Sequence, residues 1–338
     1  MPQNKIFKYL SFCYIYMKDK IFELDTKDRK ILEQLELNAR QSSSQIAKKV
    51  GLSKDAVLYR IKNLEERKII LGYHSVLNLS KLGFLSYKIM LSFRDIDSNI
   101  ETSIINYIKN EKSAGWVVSC DVAYNLMAIF WVRNSFTFNE FLKRFLEKFS
   151  KYIRERQIIM LTENHMQRKS YLFNKNLNLE DIYTGNEKEE ELDEKDLKII
   201  KILANNSIGK LYKIASSLKL TPEAVSHRIK VLQQKGILQA FRPTINSSLL
   251  GYQYYNVLFK LKRFEDIKAL FDFFKEQKSI IYFVGYMGGY DIGVDIEVKN
   301  ISELREFLQK TRDLFKNDIE SYTSILIYQQ HKLSYLPD

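Results

Sequence analysis

At 338 residues the chain is too long for one ordinary domain, and 45% hydrophobic with 28% charged residues is a globular balance that excludes a disordered polymer. Four Pro and twelve Gly leave little room for long linkers, and two Cys exclude a disulfide framework, so a reducing compartment is expected. A net charge of +12 favours a polyanionic partner. No Cys/His cluster suggests zinc, and nothing after the first residues approaches the ~20 apolar residues of a membrane span.

The chain opens with IFKYLSFCYIYM (Ile6 to Met17), an apolar stretch broken by Lys8 and lacking a small-residue cleavage site. The expectation is that translation starts at Met17 and that residues 1–23 are an extension to the first unit. From Leu24 onwards the pattern is helical. Ile31, Leu32 and Leu35 form the inner face of a helix beginning near Thr26. Ile46, Ala47 and Val50 mark a short second helix ended by Gly51. Ser53 caps a third, over about residues 54–66, with Val57, Ile61 and Leu64 on its inner face.

After Gly83 the period changes. SYKIMLSF reads as a strand, Ile100–Lys112 as a helix, and GWVVSCDV with NLMAIFWV as a strand pair. Phe136–Tyr152 is a second helix and Arg156–Glu163 a last strand. Strand–helix–strand–strand–helix–strand is the ferredoxin-like order.

The whole order then returns. LDTKDRKI at Leu24 recurs as LDEKDLKI at Leu192, and IAKKVGLSKDAVLYRIKNLEERKII at Ile46 as IASSLKLTPEAVSHRIKVLQQKGIL at Ile214, both displaced by 168 residues. Asn78/Asn246, Leu82/Leu250 and Gly83/Gly251 keep the register. The chain is read as a tandem duplication of α+β class. Helical units cover 24–83 and 192–251, α+β units cover 84–175 and 252–338, and 176–191 is an acidic linker running into Asn186–Asp196. In the second copy Thr221 is the cap and Pro222 the first residue of a helix over about 222–234. YYNVLFKL, Phe264–Gln277, SIIYFVGY, YDIGVDIEV, Ile301–Phe315 and SYTSILIYQ complete the order.

Two short helices joined by a tight turn, the second polar at its outer N-terminal face, are what a DNA major groove admits. At 100° per residue Asp55, Leu58, Tyr59 and Lys62 point away from the inner stripe, as do Glu223, Ser226, His227 and Lys230. With Ser53, Lys54 and Thr221 at the helix starts, these are the candidate DNA-binding residues. Arg60/Arg228 and Lys62/Lys230 occur in both copies and suit phosphate or guanine contacts. Tyr59 and His227 fit base contact and plain exposure equally. Residues 24–72 hold eleven basic and seven acidic residues, and residues 192–242 hold ten and four, so most of the net charge lies in the helical units.

These segments resemble the Lrp/AsnC (feast/famine) family of transcriptional regulators, over nearly everything after Met17. The resemblance implies a winged helix-turn-helix unit followed by a ferredoxin-like βαββαβ (RAM-type) unit, the pair repeated twice. It implies double-stranded DNA as partner, no cofactor, no catalytic or metal residues, and a cytoplasmic, nucleoid-associated location. The two α+β units are expected to pair within the chain as a pseudo-dimer open to further self-association. In many members the RAM-type unit binds an amino acid, and the family's Gly-x-Tyr-Asp hairpin stands here as Gly288, Gly289, Tyr290 and Asp291. The first copy has Asp121-Val122-Ala123-Tyr124-Asn125 instead.

Two other readings use the same architecture. Sirohaem decarboxylases share it, with His and Arg around a tetrapyrrole, and this chain has four His: His74, His165, His227 and His331. An architectural nucleoid protein would differ from a regulator only in specificity ratio. No P-loop, GxSxG, HExxH or dinucleotide glycine pattern is present, and the expectation is a protein that is not an enzyme.

Overall fold

The structure, a computed structural model, describes residues 12–13, 21–173, 182–185, 187–265 and 267–337. The Met17 reading and residues 176–181 and 186 of the linker expected at 176–191 lie outside them. Among the described residues no helix is long and apolar enough to cross a membrane.

After β1 (Phe12–Cys13) the first helical unit comprises α1 (Thr26–Leu37), α2 (Ser43–Val50) and α3 (Lys54–Glu66). Side chains with short polar arms start each helix. Asp25 accepts from the Asp28 amide, Ser42 and Gln45 form a reciprocal capping box, and Ser53 accepts from Ala56. Gly51 closes α2 in the left-handed region at φ 65°, the one conformation in which lacking a Cβ removes a penalty. The second unit repeats this as α6 (Glu194–Asn205), α7 (Leu211–Leu218) and α8 (Pro222–Gln234), with Asp193 and Thr221 as caps.

Each helical unit leads into a strand that sequence periodicity alone does not mark: β2 (Ile70–Leu77) and β8 (Leu238–Ile245). Among the described residues they pair only with each other, antiparallel, with His74 opposite Arg242. Helix α1 packs on β8 and α6 on β2. Each helical unit therefore rests on the strand of the other copy, and Ile245 and Leu250 belong to the same core as Ile31, Leu35 and Val57.

The first α+β unit consists of β3 (Leu85–Phe93), α4 (Ser98–Lys109), β4 (Ala114–Asp121), β5 (Leu126–Val132), α5 (Ser135–Phe149) and β6 (Ile153–Met166), with β7 (Ile182–Thr184) paired to β6. The second consists of β9 (Gln253–Leu261), α9 (Ile267–Glu276), β10 (Ile280–Met287), β11 (Ile292–Val298), α10 (Ile301–Leu314) and β12 (Ile319–Leu333). Within each sheet the order is second, third, first, last strand, the ferredoxin-like arrangement. The last strands are longer than the apolar runs suggest because their ends pair across the copies: β6 with β10, and β12 with β4. Eight strands thus close into a ring with no free edge between the two sheets, which removes an aggregation-prone feature.

Alternation along the strands splits the core into layers. One side of each sheet meets its helices, through Phe130, Phe141 and Phe145 in the first copy and Phe259, Phe274 and Phe307 in the second. The other sides face each other through Met90, Trp116, Met127, Leu258, Val284 and Ile325. The many aromatic residues are accounted for chiefly by these layers.

Candidate nucleic-acid interface

Helix α3 is held from behind and bare in front. Val57 and Leu64 are fully buried against α1 and α2, while Ile61 is half-buried. Asp55, Leu58, Tyr59 and Lys62 are exposed, Tyr59 at 72% and Leu58 at 45%. Among the described residues Lys62 has only an i,i+4 contact to Glu66, at 3.6 Å. Lys54 is exposed at the N-terminus, where amide N–H groups without helical partners favour an anion. In α8, Glu223, His227 and Lys230 are exposed and Ser226 is half-buried. The two faces thus share a lysine, at 62 and 230, and differ where Leu58-Tyr59 is replaced by Ser226-His227.

The structure assigns Arg60 and Arg228 a different partner from the one their spacing suggests. The Nη1 of Arg60 donates to Asp25 Oδ2 at 2.6 Å and to Asp28 Oδ1 at 2.7 Å. Arg228 does the same to Asp193 and Asp196, both at 2.7 Å. The Asp196 amide and the Arg228 guanidinium hold the Asp193 carboxyl below its ordinary range. Both arginines recur because they clamp the reading helix to the start of the unit's first helix, which is a structural duty. Ser53 and Thr221 likewise spend their side-chain oxygens on caps.

Residue-type reasoning passed over two cations. Lys48 and Lys49 are exposed in the last turn of α2, where the helix dipole favours them and the chain turns directly into α3. The polar face of a short amphipathic helix next to the turn was the available signal. In α7 the corresponding positions are Ser216 and Ser217, so the second unit lacks this pair.

The hairpin residues Gly288 to Asp291 are engaged within the fold. Gly288 has φ 141°, and a Cβ there would stand 2.9 Å from Ile159; at Gly289 it would collide with Gln157. Asp291 Oδ2 accepts from the Leu261 amide at 2.7 Å, and Asn125 Oδ1 accepts from the Phe93 amide at 2.8 Å. The donors lie 168 residues apart and the acceptors 166, so the Asp of one copy and the Asn of the other both tie the turn to the first strand of their sheet. Tyr290 reaches Thr323 at 3.4 Å, and Tyr124 donates to Gln157 at 2.6 Å.

Of the histidines, His227 alone lies on a reading face. His74 is buried, stacked on Tyr335 at 3.7 Å, and pushed down to about 3 by burial and then by Arg242. His331, bonded to Ser119 at 2.7 Å, is pushed down to about 4 by burial. His165 stacks on Phe283.

Comparison with known proteins agrees with this geometry. A family model described as winged helix-turn-helix DNA-binding matches residues 24–70. The HTH-type transcriptional regulator LrpA of Pyrococcus horikoshii is 32% identical over 113 residues, 33% of this chain and 77% of that protein. The HTH-type transcriptional regulator FL11 of the same organism is 29% identical over 144 residues, 42% of this chain and 92% of that protein. Among solved structures, the siroheme decarboxylase NirDL aligns with a TM-score of 0.63 at 12% identity, over 91% of this chain and 93% of that one. At that identity the likeness is one of fold.

Proposed function

The chain belongs to the Lrp/AsnC family of transcriptional regulators, and on that premise we propose that it binds DNA sequence-specifically through α3 and α8, one in each of two major-groove half-sites. The observation that carries the reading is the outer face of α3, where Leu58, Tyr59 and Lys62 are exposed on a helix clamped from behind by Arg60. A rigid helix with an unengaged mixed face can read base edges, while flanking lysines meet phosphates. On this reading the protein is a regulator and not an enzyme, and it works in the cytoplasm on the nucleoid. The two heads differ in sequence and so read unlike half-sites. The family resemblance adds an amino-acid effector at Gly288–Asp291 and self-association of whole chains, and both belong to the proposal.

The test is selection of genomic fragments bound by the purified chain, followed by affinity measurements over a series of salt concentrations. A discrete motif with two half-sites is expected. Lys62→Ala and Lys230→Ala are each expected to weaken binding and lower the salt slope by about 1. Arg60→Ala is expected to leave the slope unchanged. Uniform, salt-sensitive recovery of all fragments would favour an architectural protein and overturn the sequence-specific reading.

A further inference from the structure

A cavity of about 760 Å³ lies between the first helical unit, the β2–β8 pair and the strand ring. Its wall takes Glu36 from α1, His74 from β2, Arg242 from β8, Asn164 from β6, and Trp116 and Trp131 from β4 and β5. At ~30 Å³ per water this is space for roughly 25 waters, within the range that encloses a drug-sized ligand. It is several times what a free amino acid fills, and it is separate from the Gly288–Asp291 hairpin.

Four of these residues present a buried polar atom with no hydrogen bond: Glu36 Oε2, His74 Nε2, Asn164 Oδ1 and Arg242 Nε. Glu36, His74 and Arg242 are all at least 95% buried. Buried polar atoms are otherwise almost always paired, so four around one space point to an occupant. Glu36 and Arg242 approach only to 3.9 Å, too far to bond to each other. A carboxylate oxygen and an N–H stand side by side, matched by a molecule with a donor and an acceptor on adjacent atoms. The flat His74–Tyr335 stack and the indoles of Trp116 and Trp131 line the same space, favouring a planar ring.

Charge narrows the class. The lining cations already face anions: Lys169 bonds the Glu297 carboxylate at 2.6 Å, and Arg133 bonds Glu189 at 2.8 Å. Lys88 donates to Asn256, which donates to Asp295. Little positive charge is left over to balance a polyanion.

We propose that this cavity binds one neutral, planar, fused-ring nitrogen heterocycle, its donor–acceptor edge set between Glu36 and Arg242. The inference rests on the cavity alone and is independent of the DNA reading. Trp116 and Trp131 are the chain's only tryptophans, so intrinsic emission reports directly on the site. The probe is lumichrome, a neutral tricycle with an N–H between two carbonyls, titrated into the full chain. Saturable quenching at one site per chain is expected, weakened tenfold or more in Glu36→Gln, which loses the charge-assisted bond. Ile129→Phe, on the cavity wall, should weaken it comparably by filling the space. Circular dichroism melting identifies a variant that fails to fold, in which case the other decides. Non-saturable quenching of the parent chain, or equal affinity in both folded variants, would overturn the proposal. So would saturable quenching by the polyanionic macrocycle uroporphyrin I without any by lumichrome.

Discussion

Lys88 is fully buried between the two sheets, and its counterpart 168 residues on is Asn256. The two touch, Nζ to Oδ1, at 2.8 Å. They therefore lie at the pseudo-twofold axis, where a symmetric pair would set two lysines against each other without water. The duplicated chain replaces one lysine with an acceptor. The strand pair repeats the device with His74 opposite Arg242, also 168 apart, and burial keeps the histidine neutral. The buried lysine makes stability depend on pH. Burial pushes the Lys88 ammonium down to about 8, against an ordinary 10.5, with Asp295 opposing the shift. Asn256, Tyr286, Asp295 and Trp116 face it. Tyr286 is held well above its ordinary range by burial and Cys120 is pushed up to about 12 by burial, so both stay neutral across the window. Between pH 8 and 10.5 the unfolded chain binds more protons at this residue than the folded one, so its contribution makes stability rise with pH there. Measured as urea stability relative to Lys88→Met, the parent should gain roughly 3 kcal/mol from pH 7.5 to 10.5. A difference that stays flat would show that the lysine is neither buried nor shifted as described.

At the scale of elements, the copies differ in how well each helix is ended. Gly51 and Lys219 occupy the same left-handed cap position, at φ 65° and 53°. A Cβ in that conformation costs about 1 kcal/mol. At Gly51 a Cβ would make only an ordinary contact, 3.6 Å from Lys27, so the cost is in the backbone. Helix α7 also lacks a side-chain cap at Lys210, where α2 has its capping box. Lys219→Gly is therefore expected to stabilise the chain by about 1 kcal/mol and Gly51→Lys to destabilise it comparably, read from urea midpoints. The opposite signs would contradict the cap assignment. The helices and most strands were legible because their causes are local: caps, 3–4 spacing, short apolar runs. The β2–β8 pair was not, since ILGYHSVL shows no clean alternation and its partner lies 168 residues away. The same distance effect hid the duty of Arg60, whose carboxylates are 32 and 35 positions upstream. It also hid Glu36, which reads as one more helix residue until β8 brings Arg242 beside it.

The molecule as a whole is two repeats that complete each other, and that determines what half of it can do. The inner face of each α+β sheet packs on the other sheet, and the outer edges of its end strands pair across the copies. Each helical unit leans on the other copy's strand. A half comprising residues 21–185 would expose Met90, Trp116, Val118 and Met127, together with the edges of β4 and β6. Burying that surface again requires a second copy, and the edges are positioned to accept one. Self-pairing of the first half, however, sets Lys88 against Lys88, because the Asn256 that now faces it is gone. Like charges in a buried contact destabilise it. The isolated first half is thus expected to form a weak dimer, tightened by Lys88→Asn, which supplies two neutral partners able to bond each other. Mixing it with residues 187–337 should give a 1:1 complex in preference to either homodimer. Sedimentation equilibrium and native mass spectrometry of the separate and mixed halves measure both expectations. Stable monomeric halves, or a homodimer indifferent to Lys88→Asn, would mean that the copies do not depend on each other through these contacts.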